Sequence, residues 1–251
     1  MNTAFYTLGW RSLLRDLRAG ELRLLIVAVS LAVAALTAVG FFADRLNGGL
    51  QRDARQLLGG DAVISSDNPT PPVFIAKAKE LGLQTAQTMG FPTMARAAPN
   101  SQAANSGDAM TKLVALKAVS EAYPLRGNLQ ITTKQGAAPA KTRAVPAVGE
   151  AWVDAALLDG LGLQVGDKLL LGDAELRIGQ IITTEPDRGA GFANFAPRVM
   201  VNMAGMAATG LIQPASRVTY RLAVAGTSAG GPAADEAVKA FADFAKAQIS
   251  T

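Results

Sequence analysis

The stretch RSLLRDLRAGELRLLIVAVSLAVAALTAVGFFADRL, Arg11 to Leu46, decides how the rest of the chain is read. From Leu24 to Ala43 it has no charged residue, and arginines mixed with a few acids flank it on both sides. A run of about 20 residues covers ~30 Å as a helix, the hydrocarbon thickness of a bilayer. A signal-peptide core is shorter, ~7–15 residues, and ends at a small-x-small site. Leu36-Thr37-Ala38-Val39-Gly40 is a poor version of such a site, and the apolar pattern runs on through Phe41 and Phe42. The expectation is a retained transmembrane helix, with a cleaved signal and a buried core helix as the alternatives.

Inside the span, Ala28, Ala32 and Ala35 share one helical face, with Thr37 and Gly40 adding small side chains. Small residues allow close helix–helix approach in lipid, so this face fits a helix among other helices; general alanine abundance is the competing explanation. Before the span, Trp10, Leu13, Leu14 and Leu17 recur at helical spacing beside Arg11, Arg15 and Arg18. Such a segment can lie in the headgroup layer, with Ala19-Gly20 as the bend into the membrane. Arg11, Arg15, Arg18 and Arg23 favour a cytoplasmic N-terminus, and a long following domain crosses largely regardless of its charge. The main domain is therefore expected outside.

Beyond the span, Leu46, Leu50, Ala54, Leu57 and Leu58 continue an apolar stripe at helical spacing until Gly59-Gly60, a C-cap signal. Gly48-Gly49 weakens this stalk by ~1 kcal/mol per glycine. The stalk is either a rod that carries movement or a short helix packed on its own domain. Strands are expected at Ala62–Ser66, Gln84–Ala95 and Thr111–Val119, with a helix over Val73–Leu81 and a mobile hairpin tip at Ala97–Asp108. A second unit starts near Pro146. It has a short helix Asp154–Leu161 with Asp154 as N-cap, then a hairpin of Lys168–Leu171 and Glu175–Ile182 around Gly172-Asp173. Further strands are expected at Arg198–Asn202 and Val218–Val224. Pro232 opens a last helix with Val238, Phe241, Ala245 and Ile249 on one face; it has no stop signal, so the chain reads as a fragment rather than a natural end.

Composition narrows the chemistry. The 251 residues are 49% hydrophobic with net charge +4, no cysteine and no histidine. Without cysteine there are no disulfides, thiolate metal sites or thiol nucleophiles; without histidine the commonest general base and transition-metal ligand are gone. No basic run interleaves with aromatics, so nucleic acid is not an expected partner. Glu185-Pro186-Asp187-Arg188-Gly189 holds two carboxylates and an arginine in a tight loop, and it reads as an ion-paired structural corner before an acid pair or cation site. Asp167, Asp173 and Glu175 read as turn and solvent-face residues. Ser65, Ser66 and Ser216 have no histidine and no G-x-S-x-G. No G-x-x-x-x-G-K-[ST] exists, so ATP chemistry would have to come from a partner. Phe192, Phe195 and Met200–Met206 read as core or subdomain contacts before a surface for lipid-like cargo. No catalytic, cofactor-binding or metal residue is assigned, and no cofactor is expected.

Several phrases in order carry a resemblance: LLGGDAVISS at Leu57–Ser66, EAYPLRGNLQ at Glu121–Gln130, GEAWVDAALLDGLGLQVGDKLLLGDAELRIGQIITTEPDRG from Gly149, then APRVMVN and TGLIQPASRVTYRL. Together they resemble the large periplasmic domain of FtsX-like ABC transporter permeases, in the YbbP-type branch encoded beside a periplasmic lysophospholipase/thioesterase. The resemblance implies an α+β periplasmic domain of the MacB-like kind, a porter-like α/β sandwich plus a smaller β-rich subdomain, on an N-terminal transmembrane helix. On that frame, 1–20 is a cytoplasmic amphipathic segment and 21–44 the membrane helix. Residues 45–145 form the stalk and first porter-like part, 146–225 the β-rich subdomain with return strands, and 226–251 a linker and helix. The implied location is the bacterial inner membrane. The implied function is a non-enzymatic permease subunit of the mechanotransmission type. Its expected partners are a cytoplasmic ABC ATPase subunit, membrane lipid, and the periplasmic lysophospholipase/thioesterase. The alternatives are a single-pass membrane-anchored adaptor without an ATPase and, less well supported by residue content, a secreted hydrolase.

Overall fold

The computed structural model describes residues 10–11, 15, 20–99, 111–188, 195–213, 216–227 and 232–249. They fall into two compact units, Met1–Asp53 and Ala54–Thr251. Helix α1, Glu21–Leu58, carries the chain from the first to the second over 38 residues, ~57 Å of helix. Gly20 takes the left-handed conformation expected of the bend before it (φ 93). Leu13, Leu14 and Leu17 of the proposed headgroup segment lie outside the described residues.

Within the first unit the apolar side chains of α1 are bare: Leu24 is 75% exposed, Leu36 74% and Phe42 68%. This is the one helix among the described residues long and apolar enough to cross a membrane. Thr37 donates its hydroxyl to the Val33 carbonyl at 2.7 Å, which satisfies that polar group within the helix.

In the second unit α1 ends at Gly59, whose φ of 70 is open to glycine and costly for a residue with a Cβ. Gly59 N–H donates to Gln56 (3.1 Å) and Gly60 N–H to Arg55 (3.2 Å), the pair of bonds that defines a Schellman end. Ten strands follow, with helices α2 (Pro72–Glu80), α3 (Ala155–Leu161) and α4 (Pro232–Ile249). The strands are β1 Ala62–Ser66, β2 Gln84–Ala97, β3 Thr111–Val119, β4 Leu129–Thr132, β5 Ala140–Thr142, β6 Glu150–Asp154, β7 Lys168–Leu171, β8 Ala174–Thr184, β9 Arg198–Asn202 and β10 Thr219–Ala225. The fold is α+β, as expected. The hairpin tip read at Ala97–Asp108 lies beyond residue 99 outside the described residues.

Sheet order is β1-β10-β2-β3-β9-β6-β8-β4-β5, and β7 bonds to both β2 and β8. That last strand closes a ring, β2-β3-β9-β6-β8-β7. Ring strands alternate, so every second residue points inward. Ala95, Val114, Leu116, Ala118, Val153, Leu169, Leu171, Ile178, Val199 and Val201 fill the interior, with Leu157 and Leu161 of α3 packed against them. The open end, β1 and β10, is covered by α2 and α4 through Phe74, Ala78, Leu222, Val224, Phe241 and Ala245. Phe74 meets Phe244 edge-on at 5.9 Å. Of the apolar face read on α4, Phe241 and Ala245 are buried.

Three short strands were not legible as strands: β4, β5 and β6. Lone polar AKT makes β5, an exposed edge, and β6 reads as a lead-in to α3 because Trp152-Val153 adjoin it directly. Asp154 stands at the N-cap of α3, yet its side chain makes no cap bond. Its carboxylate is taken by Arg188 and by the Arg198 N–H instead.

Candidate functional site

Strand β3, TKLVALKAV, sends Val114, Leu116 and Ala118 into the ring and Ala115, Lys117 and Val119 to the opposite face. Register puts Gly90 of β2 opposite Lys117, Arg221 of β10 opposite Thr88, and Arg198 of β9 opposite Ala115. Facing residues in paired strands share a side, so three strands bring Lys117, Arg198 and Arg221 to one face. The loop after β8 lays Glu185 and Asp187 over them.

The result is a buried ion-paired network. Lys117 Nζ, with its side chain 7% exposed, donates to Glu185 Oε1 at 2.5 Å, Asp187 Oδ1 at 2.7 Å and the Tyr123 hydroxyl at 3.0 Å. Tyr123 donates in turn to Asp187 Oδ1. Arg198 Nε donates to Glu185 Oε2 at 2.8 Å, and Arg221 approaches Asp187 Oδ2 at 3.5 Å. Arg188 does not pair with the neighbouring acids. It reaches Asp154 at 2.6 Å and 3.2 Å. The ion-paired corner read from the sequence is there, with its partners drawn from β3, β9 and β10 rather than from the next residue.

Burial pushes the Asp187 carboxyl up, but the Lys117 charge and hydrogen bond, Tyr123 and Arg221 together outweigh it and hold it below its ordinary 3.8. Burial, then the charges of Asp187 and Glu185, push the Tyr123 phenol well above its ordinary 10.0, so it remains a donor. The hydrogen bond to Asp154 raises Arg188, against a smaller opposing effect of burial. Each carboxylate of the network accepts from two or more donors, which makes it a clamp rather than a free base.

A second cluster fastens the end of α1. Arg126 grips Asp61 with both prongs of its guanidinium (2.9 and 2.6 Å), and Gly226 N–H donates to Asp61 at 2.9 Å. Burial raises the Asp61 carboxyl, and Arg126, the Gly226 N–H and Arg55 more than reverse it, leaving it lowered. Arg55, in the last turn of α1, lies 3.8 Å from Asp61 and 2.8 Å from Asp235 of α4. Arg126 N–H donates to the Gly59 carbonyl at 3.2 Å. A Cβ on Gly59 would stand 3.2 Å from Asp187, and one on Gly127 (φ 78) 3.0 Å from Pro186. Two glycines thus let the helix end and the 123–127 turn close directly onto the 185–187 loop. The two clusters form one junction.

Over the outer face lies a cleft of about 300 Å³, floored by Gly90 and Ala115 and bordered by Lys117, Arg188, Arg198, Arg217 and Arg221. Among the described residues no group of three or more acids could hold a metal ion. The other residues singled out lie elsewhere. Asp167 accepts from Gln164 N–H at 2.8 Å, Glu175 pairs with Lys168 across the hairpin, Ser66 accepts from Asn68 N–H, and Ser216 accepts from Gln213 N–H. Met200 and Met206 are buried core residues, Phe195 is 87% exposed, and Phe192 is outside the described residues. Lys117, Tyr123, Arg198 and Arg221 escaped the sequence reading. The available signal was the lone lysine in the apolar run LVALKAV, which in a strand buried on both faces demands a paired acid.

Fold and junction define a class: an α+β domain ion-paired, through Asp61 and Asp235, to the last turn of a membrane-length helix. No family model matches the chain. Over 207 residues the chain is 35% identical to the uncharacterized ABC transporter permease YbbP of Escherichia coli (strain K12), an alignment covering 82% of this chain and 24% of that protein. The chain is thus homologous to an ABC transporter permease, in agreement with the resemblance read from its phrases, and spans about a quarter of that relative's length. Among solved structures it is similar to the periplasmic region of MacB from Actinobacillus actinomycetemcomitans (10% identity, 77% of this chain and 86% of that one, TM-score 0.43). It is also similar to a domain of a putative permease protein from Porphyromonas gingivalis (12% identity, 59% and 63%, TM-score 0.35). Both likenesses are distant, and no feature is carried over from them.

Proposed function

We propose that this chain is the N-terminal membrane helix and periplasmic domain of an ABC transporter permease of the FtsX/MacB-like, mechanotransmission type. The homology to a protein named as an ABC transporter permease supports the class. The observation that carries the mechanism is the junction: the end of α1 is held by a Schellman motif, Arg55, Asp61 and Arg126 against the loop that bears the buried network. A bilayer takes ~30 Å of helix, so about 27 Å of α1 is left over to act as a stalk.

In this reading the N-terminus is cytoplasmic, the membrane is the bacterial inner membrane, and the domain after α1 is periplasmic. Residues 45–145 and 146–225 act as the porter-like and β-rich parts. A cytoplasmic ATPase supplies the energy, since the chain has no phosphate-binding loop of the G-x-x-x-x-G-K-[ST] kind. ATP-driven closure shifts the membrane helices, and the stalk Asp44–Leu58 passes that shift to the sheet. The domain then acts on a lipid-like or hydrophobic substrate, or on a periplasmic hydrolase such as a lysophospholipase/thioesterase, and performs no catalysis itself. A two-state lever of this kind needs a stiff connection.

The test is a flexible Gly-Ser insertion between Gly48 and Gly49 in the intact permease together with its ATPase. ATP hydrolysis should persist while substrate movement, or activation of the hydrolase, falls at least tenfold. Unchanged output would remove the stalk from the mechanism.

A further inference from the structure

We propose that the cleft over Gly90 is a binding site for a phosphate-bearing ligand. The site is built from the sheet rather than from a surface patch. Gly90 and Ala115 have almost no side chain, so the pleated face is low there while Arg221, Arg198 and Lys117 rise around it. Arg217, one turn of chain before β10, and Arg188, from the loop after β8, complete the rim.

Charge decides the ligand class. Five cations line the cleft, and among the described residues the carboxylates that meet them are Asp154, Glu185 and Asp187. Among those residues two positive charges are therefore left over. Arg217 is exposed and has no ion-pair partner among the described residues, and Arg221 reaches Asp187 only at 3.5 Å. The sequence itself has no acid at positions 189–194 (GAGFAN) or 214–215 (Pro-Ala). A carboxylate or a phosphodiester would neutralise one of the two charges. A phosphomonoester carries ~−1.5 to −2 at neutral pH and offers three acceptor oxygens to forked guanidinium donors. The volume, at the small end of ligand sites, suits a headgroup or a free phosphate rather than a larger anion. This assignment stands on the cleft alone and does not depend on the permease reading.

The experiment uses the full chain in uncharged detergent at constant ionic strength, titrated calorimetrically with inorganic phosphate and, separately, with dihexanoyl phosphatidic acid. At least one probe should bind saturably. Arg217→Gln and Gly90→Leu should each weaken binding about tenfold or more, because one removes a charge-assisted hydrogen bond and the other fills the floor. Gly90 has ordinary backbone angles, and a Cβ there meets only the Leu116 carbonyl at 3.4 Å, so the variant is expected to fold. If it does not, Arg217→Gln carries the test alone. Lys141→Gln, on the exposed edge strand, is the control and should bind as wild type. Tighter binding of the lipid by tenfold or more names a headgroup as the source, and equal or weaker binding names free phosphate; both outcomes uphold the site. Failure of both probes to saturate, or equal binding by Arg217→Gln, Gly90→Leu and wild type, overturns it.

Discussion

The two faces of strand β3 are both buried, and they are held by opposite means. Val114, Leu116 and Ala118 face a ring filled by apolar side chains. Lys117, one residue away, faces an ammonium–carboxylate–guanidinium network. An apolar interior tolerates a changed volume at a graded cost that hardly varies with pH. A buried ionic network stands or falls with its partners, because removing one leaves an uncompensated charge in a low-dielectric surrounding. Among the described residues no buried side-chain nitrogen or oxygen lacks a partner, so the network has no slack to absorb a loss. The ionic face is also the one that touches the end of α1.

The comparison breaks most visibly at Lys117. Lys117→Met should destabilise the second unit by about 3–5 kcal/mol, since Glu185 and Asp187 lose their shared cation. Leu169→Ala, inside the ring, is the reference, at about 2–5 kcal/mol. Denaturant unfolding of the chain in detergent, followed by Trp152 fluorescence in a Trp10→Phe background, reads both. Adding Glu185→Gln and Asp187→Asn to Lys117→Met should recover part of the loss. No recovery would mean that packing, rather than charge, sets the cost.

Acid sharpens the contrast. The Asp187 carboxyl is held below 3.8 in the folded chain, so its contribution is fully present above the unfolded value and lost as pH falls through the folded one. Thermal midpoints should therefore drop below about pH 4 in wild type and in Leu169→Ala alike. In Asp187→Asn the drop should be shallower, although Asp61, also lowered, leaves a residual slope. Equal slopes in all three would place the acid sensitivity elsewhere. The smallest effect belongs to the exposed pair Arg55–Asp235, whose side chains are 39% and 58% exposed. Arg55→Ala should cost no more than about 0.5–1 kcal/mol of stability by the same unfolding measurement, because exposed pairs are screened.

Local elements were legible where one short-range signal sufficed. Thr111–Val119, Lys168–Leu171 and Arg198–Asn202 are strands at the bounds read from the sequence, and Pro232 opens α4. Gly59-Gly60 ends α1 because a left-handed residue is affordable there only for glycine. The Glu185–Arg188 loop was recognisable as an ion-paired corner, yet its partners were not. Arg188 sits beside Asp187 in the chain and pairs with Asp154 across 34 residues, while Lys117 pairs with Asp187 across 70. Nothing in a local window tells which of several arginines a register shift will bring within 3 Å.

The sequence alone determined a bilayer-length apolar helix near the start, strands after it, no histidine or cysteine chemistry, and phrases that resemble an ABC transporter permease. These are properties of neighbouring residues, and near-neighbour sterics and burial act through them directly. Only the tertiary structure decided that β7 returns to β2 to close the ring, that Lys117, Arg198 and Arg221 share a face, and that the end of α1 rests on Asp187. Each of those depends on the register of strands far apart in the chain, where a slip of one residue would turn every side chain to the other side.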